Sequence, residues 1–465
     1  MKPASPSLLY LISICMLERT SFYGVRGVLL LYLTKSFMRS PAEAFEIAGL
    51  MFSLSLFISL IIGAMNDKLH HLGQVLVAGL FSIFLGTVLL MFHNPSWFLL
   101  SIAWISLGSG AIRATIPTLL SKIEGKNRSE LYTYLYIANN VGALLGTGVC
   151  GIIGEVFGWN WGFALSGIML LIGGSLVLYK ESRYTPDFFP HLGKIFALLL
   201  PLLMLLWVLL DHRELAIVVI LSSFILALGV GGYIQARNGT WKDFTYLLLL
   251  LSLLLLFSIF YEQGGLSLVL LTDALVDRSL SPALSHFFGV SEIPVTLFSN
   301  IDATANIFIG LFLAYLYKKW SASESRAGYL SKFIMAFGFA WINFLILTRI
   351  LQSASLVPAG LVVMYYVLFV CGEQLAYPVA MAATVTLSPE KNRSFFLSLL
   401  MTAIAVGGLL AAEVAKWMHP EPGTPFSASI SLYRGYSQQA LYFLSAVIIV
   451  LLIGRFLHQR TTSAP

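Results

Sequence analysis

Apolar residues run in long blocks along this chain and do not alternate with polar ones. Blocks of membrane-crossing length fall at 7–35, 45–66, 73–93, 98–121, 130–157, 160–179, 193–210, 214–236, 243–275, 290–317, 329–350, 356–387, 394–418 and 433–457, with short polar breaks between them. A helix needs about 20 residues to cross a hydrocarbon layer of ~30 Å, so fourteen spans are predicted. The runs are continuous and lack the ~10-residue alternation of a lipid-facing barrel, so each is predicted helical. The first run is too long for a cleavable leader and carries charges at its middle, and it reads as a retained span. Residues 418–432, rich in Pro, Gly and Ser, are predicted to form the longest polar loop on the outer side.

Composition narrows the class. Of 465 residues, 58% are hydrophobic and 11% charged, against roughly 25% charged in soluble domains. So few charges cannot cover so much apolar surface in water. A soluble enzyme, a nucleic-acid binder and a disordered chain are excluded. Cys15, Cys150 and Cys371 all lie in apolar runs and form no disulfide or zinc framework. With the N-terminus inside, 18 of the 28 Lys and Arg fall on inner loops and ends and seven on outer loops. That bias places both termini in the cytoplasm.

Charges within the spans point to function. Glu18, Arg19, Arg26, Arg113, Glu262, Asp302 and Glu373 come from five different spans. Each costs roughly 2.5–3.5 kcal/mol to insert, and such residues usually face a protein interior or a water cavity. Pairing that only locks helices together explains one such pair better than seven charges. Arg19, Tyr23 and Arg26 are spaced i, i+4, i+7 and share one helix face. That face suits capture of a carboxylate, since a guanidinium stays charged and binds in bidentate fashion. Glu18 sits about 100° round from Arg19, free to pair with a cation on a neighbouring helix or to titrate.

Several segments then carry a resemblance. Glu18-Arg-Thr-Ser-Phe-Tyr-Gly24-Val-Arg26 resembles the ExxERFxYYG motif of the proton-dependent oligopeptide transporter family of the major facilitator superfamily. Gly108-Ser-Gly-Ala-Ile-Arg113 resembles its GxGxxK segment. Leu135-Tyr136-Ile-Ala-Asn-Asn140-Val-Gly142, followed by Gly158-Trp-Asn-Trp-Gly-Phe163, resembles FYxxINxG and GWxWGF. Phe260-Tyr-Glu262-Gln263-Gly-Gly-Leu-Ser267 resembles FEQxxxS, and Gly372-Glu373-Gln-Leu-Ala-Tyr-Pro378 resembles GELxxxP. Gly63-Ala-Met-Asn-Asp67-Lys68 resembles the superfamily's inner-loop signature. The segments keep the family's order and run from the first span to the twelfth.

The resemblance implies an all-α membrane protein of the major facilitator fold. Residues 1–186 and 241–465 would form two six-helix bundles, and 187–240 an inserted helix pair of the bacterial branch. It implies a monomer in a bacterial inner membrane that imports di- and tripeptides with protons and uses no cofactor or metal. Arg19, Arg26 and Arg113 would hold the peptide carboxylate, and Asn140, Asp302 and Glu373 its ammonium. Tyr23, Phe22, Phe57, Tyr136, Gln263 and Ser267 would line the pocket. Glu18, Asp302 and Glu373 would serve proton coupling. Arg26 with Glu262 would close the outer side, and Arg113 with Glu373 the inner side. A zwitterion near the midplane would thus meet cations from the first half and acids from the second.

The sequence departs from the family pattern at named positions. Cys15 replaces the first motif glutamate, Arg113 the span-4 lysine, Phe22 the first paired tyrosine and Thr20 the phenylalanine after Glu-Arg. Phe57 stands where tyrosine is common, and Asp302 where asparagine is. These changes mark a divergent member with altered substrate or coupling. Import of another small anion or zwitterion, and a transport-dead receptor or scaffold, are the alternatives. Paired acids exist, but no HExxH-type motif supports an enzyme. His70 and His71 have no companion ligands, the sequons at Asn127 and Asn392 are predicted inside, and Gly142 to Gly154 reads as close helix packing. Glu413 and Asp273 read as snorkelling or loop charges.

Overall fold

The computed structural model describes residues 8–66, 72–120, 123, 128–184, 188–288, 290–320, 326–352, 356–389, 392–419 and 426–462. Lys2, Asp67, Lys68, His70, His71, Lys122, Lys126, Asn127 and Lys391 lie outside them. The described chain holds fourteen helices long and apolar enough to cross a membrane, from Leu8–Lys35 to the segment Ile430–Arg455. Local chemistry sets several starts. Helix α2 (Pro41–Asn66) places Pro41 in its first turn, and Ser40 Oγ accepts the Glu43 N–H at 3.3 Å. The helix α4 (Pro95–Leu120) repeats the device with Asn94, whose Oδ1 accepts the Ser96 N–H at 2.9 Å.

Two compact units divide the chain. The first comprises residues 1–39, 47–220 and 293–304. In it, α1 (Leu8–Lys35) packs on α5 (Arg128–Leu145) and α7 (Trp159–Tyr184), while α3 (Leu72–Met91) packs on α4 and α7. Between α5 and α6 (Ile152–Phe157) the helix widens to a π-helical turn, Gly146–Gly151. Glycines let α1 approach closely here. A Cβ on Gly142 would sit 2.5 Å from Arg19 Cβ, and one on Gly146 would sit 2.8 Å from the Gly24 nitrogen. Gly158 joins α6 to α7 at φ +112°, a conformation that favours glycine. Helix α8 (Phe188–Asp211) packs on α3 and α4, and its other face leaves Leu198, Leu200 and Met204 exposed, as a lipid-facing helix would.

The second unit comprises residues 40–46, 221–292 and 305–465. It takes in most of α9 (Arg213–Arg237), whose Gln235 Nε2 donates to Leu387 O at 2.8 Å. The ninth predicted span is not one helix. It divides into α10 (Trp241–Tyr261), a 3₁₀ turn over Glu262–Gly265 and α11 (Ser267–Leu275), with the glycine pair Gly264-Gly265 at the break. After the short α12 (Pro282–Phe288), α13 (Val295–Trp320) passes from the first unit to the second at residue 304. Then come α14 (Arg326–Ile350), α15 (Ala359–Leu387), α16 (Arg393–Met418) and α17 (Phe426–Thr462). Helix α17 starts inside the stretch predicted as an outer loop, so that loop is shorter than expected. Two short strands, Val276–Asp277 and Val357–Pro358, pair in parallel.

Asp273 and Glu413, expected as snorkelling or loop charges, both have ion-pair partners. Asp273 pairs with Arg278 at 3.1 Å, and Arg278 also binds Glu292 at 2.8 Å. Glu413 lies 3.3 Å from Lys416 Nζ, which also pairs with Glu46.

Candidate functional site

A buried polar cluster of the first unit centres on Ser109 of α4. Its hydroxyl donates to Glu18 Oε1 at 3.0 Å and accepts from Arg113 Nε at 3.2 Å and from Arg19 Nη2 at 3.4 Å. Arg19 Nε donates to Glu18 Oε2 at 2.5 Å. Glu18 therefore pairs with the adjacent arginine and with a neighbouring helix's hydroxyl, where the sequence left pairing with a neighbouring helix's cation, or titration, open. The long Arg19 side chain can fold back along α1 and close that ring. Glu18 and Arg19 are fully buried or nearly so. Phe22, also buried, has the Arg19 guanidinium carbon 5.4 Å from its ring centre and that of Arg113 at 4.9 Å. Such contacts favour cations in a desolvated setting. The cluster carries two positive charges and one negative, and Arg113 Nη2 is buried with no hydrogen-bond partner among the described residues.

The other predicted residues of this unit lie around the cluster. Arg113 is within Coulombic reach of Arg26 and Tyr23. The Arg26 guanidinium carbon stands 4.4 Å from the ring centre of Phe52 on α2, and Tyr23 meets Phe22 edge to face at 5.6 Å. Phe57 is buried. Asn140 Nδ2 donates to Tyr136 O at 3.0 Å, one turn back along α5. Cys15, at the place of the motif glutamate, donates through Sγ to Asn139 Oδ1 at 3.0 Å. Asp302 lies on the part of α13 that belongs to this unit. Near it, Thr147 Oγ1 donates to Asn300 Oδ1 at 3.0 Å.

In the second unit, Glu373 Oε2 accepts from Asn306 Nδ2 at 2.6 Å. Gln374 Nε2 donates to Asn306 Oδ1 at 2.8 Å, so Asn306 is held from both sides. Glu262 opens the 3₁₀ turn and is buried. Gln263 is buried too: its Nε2 donates to Ala411 O at 2.8 Å and its Oε1 accepts from Ser267 at 2.5 Å. Tyr261 stacks on Phe369 with ring centres 5.2 Å apart. Sequence reasoning missed Ser109, Asn139, Asn300 and Asn306, because neutral side chains in apolar helices give no signal until their partners are known. Among the described residues, no group of three His, Cys, Asp or Glu is placed to hold a metal ion.

The sequence model of the Major Facilitator Superfamily matches residues 11–412. This chain belongs to that superfamily. The facilitator is 24% identical over 471 residues to dipeptide and tripeptide permease A of Enterobacter sp. (strain 638), covering 96% of this chain and 91% of the relative. Its fold superposes on the structure of tetrameric PepTSo2 with a TM-score of 0.81 at 18% identity, over 98% of this chain and 99% of the other. It also superposes on a POT family transporter in complex with 5-aminolevulinic acid, with a TM-score of 0.77 at 17% identity and 95% coverage of both chains. The facilitator fold and its fourteen spans make this an integral, multi-pass membrane protein.

Proposed function

We propose that this facilitator imports di- and tripeptides by alternating access, coupled to protons. The observation that carries the reading is the Ser109 cluster, with the buried Arg19 and the half-buried Arg113 guanidiniums, one carboxylate, and an Arg113 Nη2 without a hydrogen-bond partner among the described residues. A desolvated site with surplus positive charge and an open donor suits an incoming carboxylate. Its likeness to a dipeptide and tripeptide permease along nearly the whole chain supports peptides as the substrate class. Arg19, Arg26 and Arg113 are assigned to the peptide carboxylate, and Asn140, Asp302 and Glu373 to its ammonium. Phe22, Tyr23, Phe57, Tyr136, Gln263 and Ser267 are assigned to the pocket, and Arg26, Glu262, Arg113 and Glu373 to gating. With Cys15 in place of the motif glutamate, the proton falls to Glu18, Asp302 or Glu373. The charge bias of the loops supports cytoplasmic termini, and we place the protein, as a monomer, in a bacterial inner membrane. Residues 1–186 and 241–465 are assigned as the two transport bundles, with 187–240 inserted between them in sequence.

The test is dialanine affinity in the purified protein. Arg113→Ala or Arg26→Ala should lose about 30-fold or more, since removing one partner of a desolvated charge contact costs roughly 2–5 kcal/mol. Wild-type affinity in either variant would refute the assignment. A second reading, import of another small zwitterion such as an amino acid, is favoured by the likeness to the transporter bound to 5-aminolevulinic acid. Binding of 5-aminolevulinic acid with no binding of dialanine would select it.

A further inference from the structure

We infer that Ser109 is a positioning residue that aims Arg113 end-on at the substrate carboxylate; the inference rests on the peptide reading above. A hydroxyl has one proton and two lone pairs. In Ser109 all three are used. The proton goes to Glu18 Oε1 at 3.0 Å, and the lone pairs take Arg113 Nε at 3.2 Å and Arg19 Nη2 at 3.4 Å. The Arg113 guanidinium is thereby fixed at Nε, and Phe22 stands 4.9 Å from its carbon. What remains is the far end, where Nη2 is buried and has no hydrogen-bond partner among the described residues. A carboxylate can meet that end through two nitrogens at once.

The two guanidiniums are not equivalent. Glu18 compensates Arg19 directly at 2.5 Å. Arg113 bonds the neutral Ser109 hydroxyl and stands against the Phe22 ring, with Glu18 acting on it through space, so its charge is the less compensated of the two and the one offered to a ligand. The residues flanking Ser109 hold its position. A Cβ on Gly108 would sit 2.9 Å from the Ile83 nitrogen on α3, and one on Gly110 would sit 2.9 Å from Ser55 O on α2. Two close approaches on opposite sides of one serine fix its height against α1. A lysine at position 113 has no Nε to anchor, so this use of the serine belongs to the arginine found here.

Dialanine affinity of purified Ser109→Ala and Ser109→Thr tests the inference, with folding followed by thermal unfolding in detergent. Ser109→Ala should weaken binding about tenfold, the scale of one hydrogen bond to a charged group. Ser109→Thr keeps the hydroxyl and should stay within about twofold of wild type. If Ser109→Ala does not fold, Ser109→Cys keeps the volume with a poor acceptor and is read in the same way. Wild-type affinity without the hydroxyl would overturn the inference. So would a Thr variant as weak as the Ala variant, which would make the residue a packing element only. If Arg113→Ala itself binds dialanine like wild type, the assignment of Arg113 to the carboxylate fails and the inference with it, whatever the serine variants do; if the wild-type protein does not bind dialanine, the peptide reading fails.

Discussion

Thr296 gives both its backbone N–H and its hydroxyl to the same oxygen of Glu155, each at 3.0 Å. The other Glu155 oxygen accepts the Val295 N–H at 2.8 Å. A carboxylate from α6 thus caps the first turn of α13. It satisfies donors that a helix leaves open and opposes the positive end of the helix dipole. Loss of a cap costs about 0.5–2 kcal/mol. Glu155→Ala is expected to lower the unfolding temperature in detergent, and Glu155→Gln, which keeps one acceptor, should lower it less. Equal unfolding temperatures for all three proteins would contradict this account of the cap.

Gly142 faces α1 where Arg19 stands. A Cβ there would lie 2.5 Å from Arg19 Cβ and 2.7 Å from Met16 O, so α1 must shift to admit it. Overpacking of this kind costs roughly 1–3 kcal/mol. Gly142→Ala is expected to lower stability and to weaken dialanine binding together, because the displaced residue belongs to the charged cluster. A variant that is destabilised but binds dialanine like wild type would separate the packing from the site.

Much of this was legible in the sequence, and the part that was not has a physical reason. Fourteen apolar runs with short breaks gave the spans, because lipid demands long helices whose backbone groups are satisfied internally. Costly charges stood out against an apolar background, so Glu18, Arg19 and Arg113 could be named before they were seen together. The hydroxyl joining them could not. Ser109 sits between Gly108 and Gly110, and such a triplet reads as small-residue packing between helices. Glu155 falls inside an apolar run, and the turn at Glu262–Gly265 interrupts a run whose pattern predicts one continuous helix. Helices that are apolar all round carry little amphipathic signal. Their rotation and depth, which decide the polar partners, come from packing and not from periodicity.

Asp302 lies in the first unit with the arginines, at a position where the sequence pattern suggested a neutral amide. If it carries the transported proton, Asp302→Asn should abolish gradient-driven accumulation while substrate counterflow, which needs no net proton movement, survives. Accumulation at the wild-type level in Asp302→Asn would assign the proton elsewhere.

Import of small peptides driven by a proton gradient is measured with purified protein in proteoliposomes, given labelled dialanine with and without an inward proton gradient. Intact dialanine is expected to accumulate above the outside concentration with the gradient, and only to equilibrate without it. Binding without uptake, or uptake that the gradient does not change, would contradict such import.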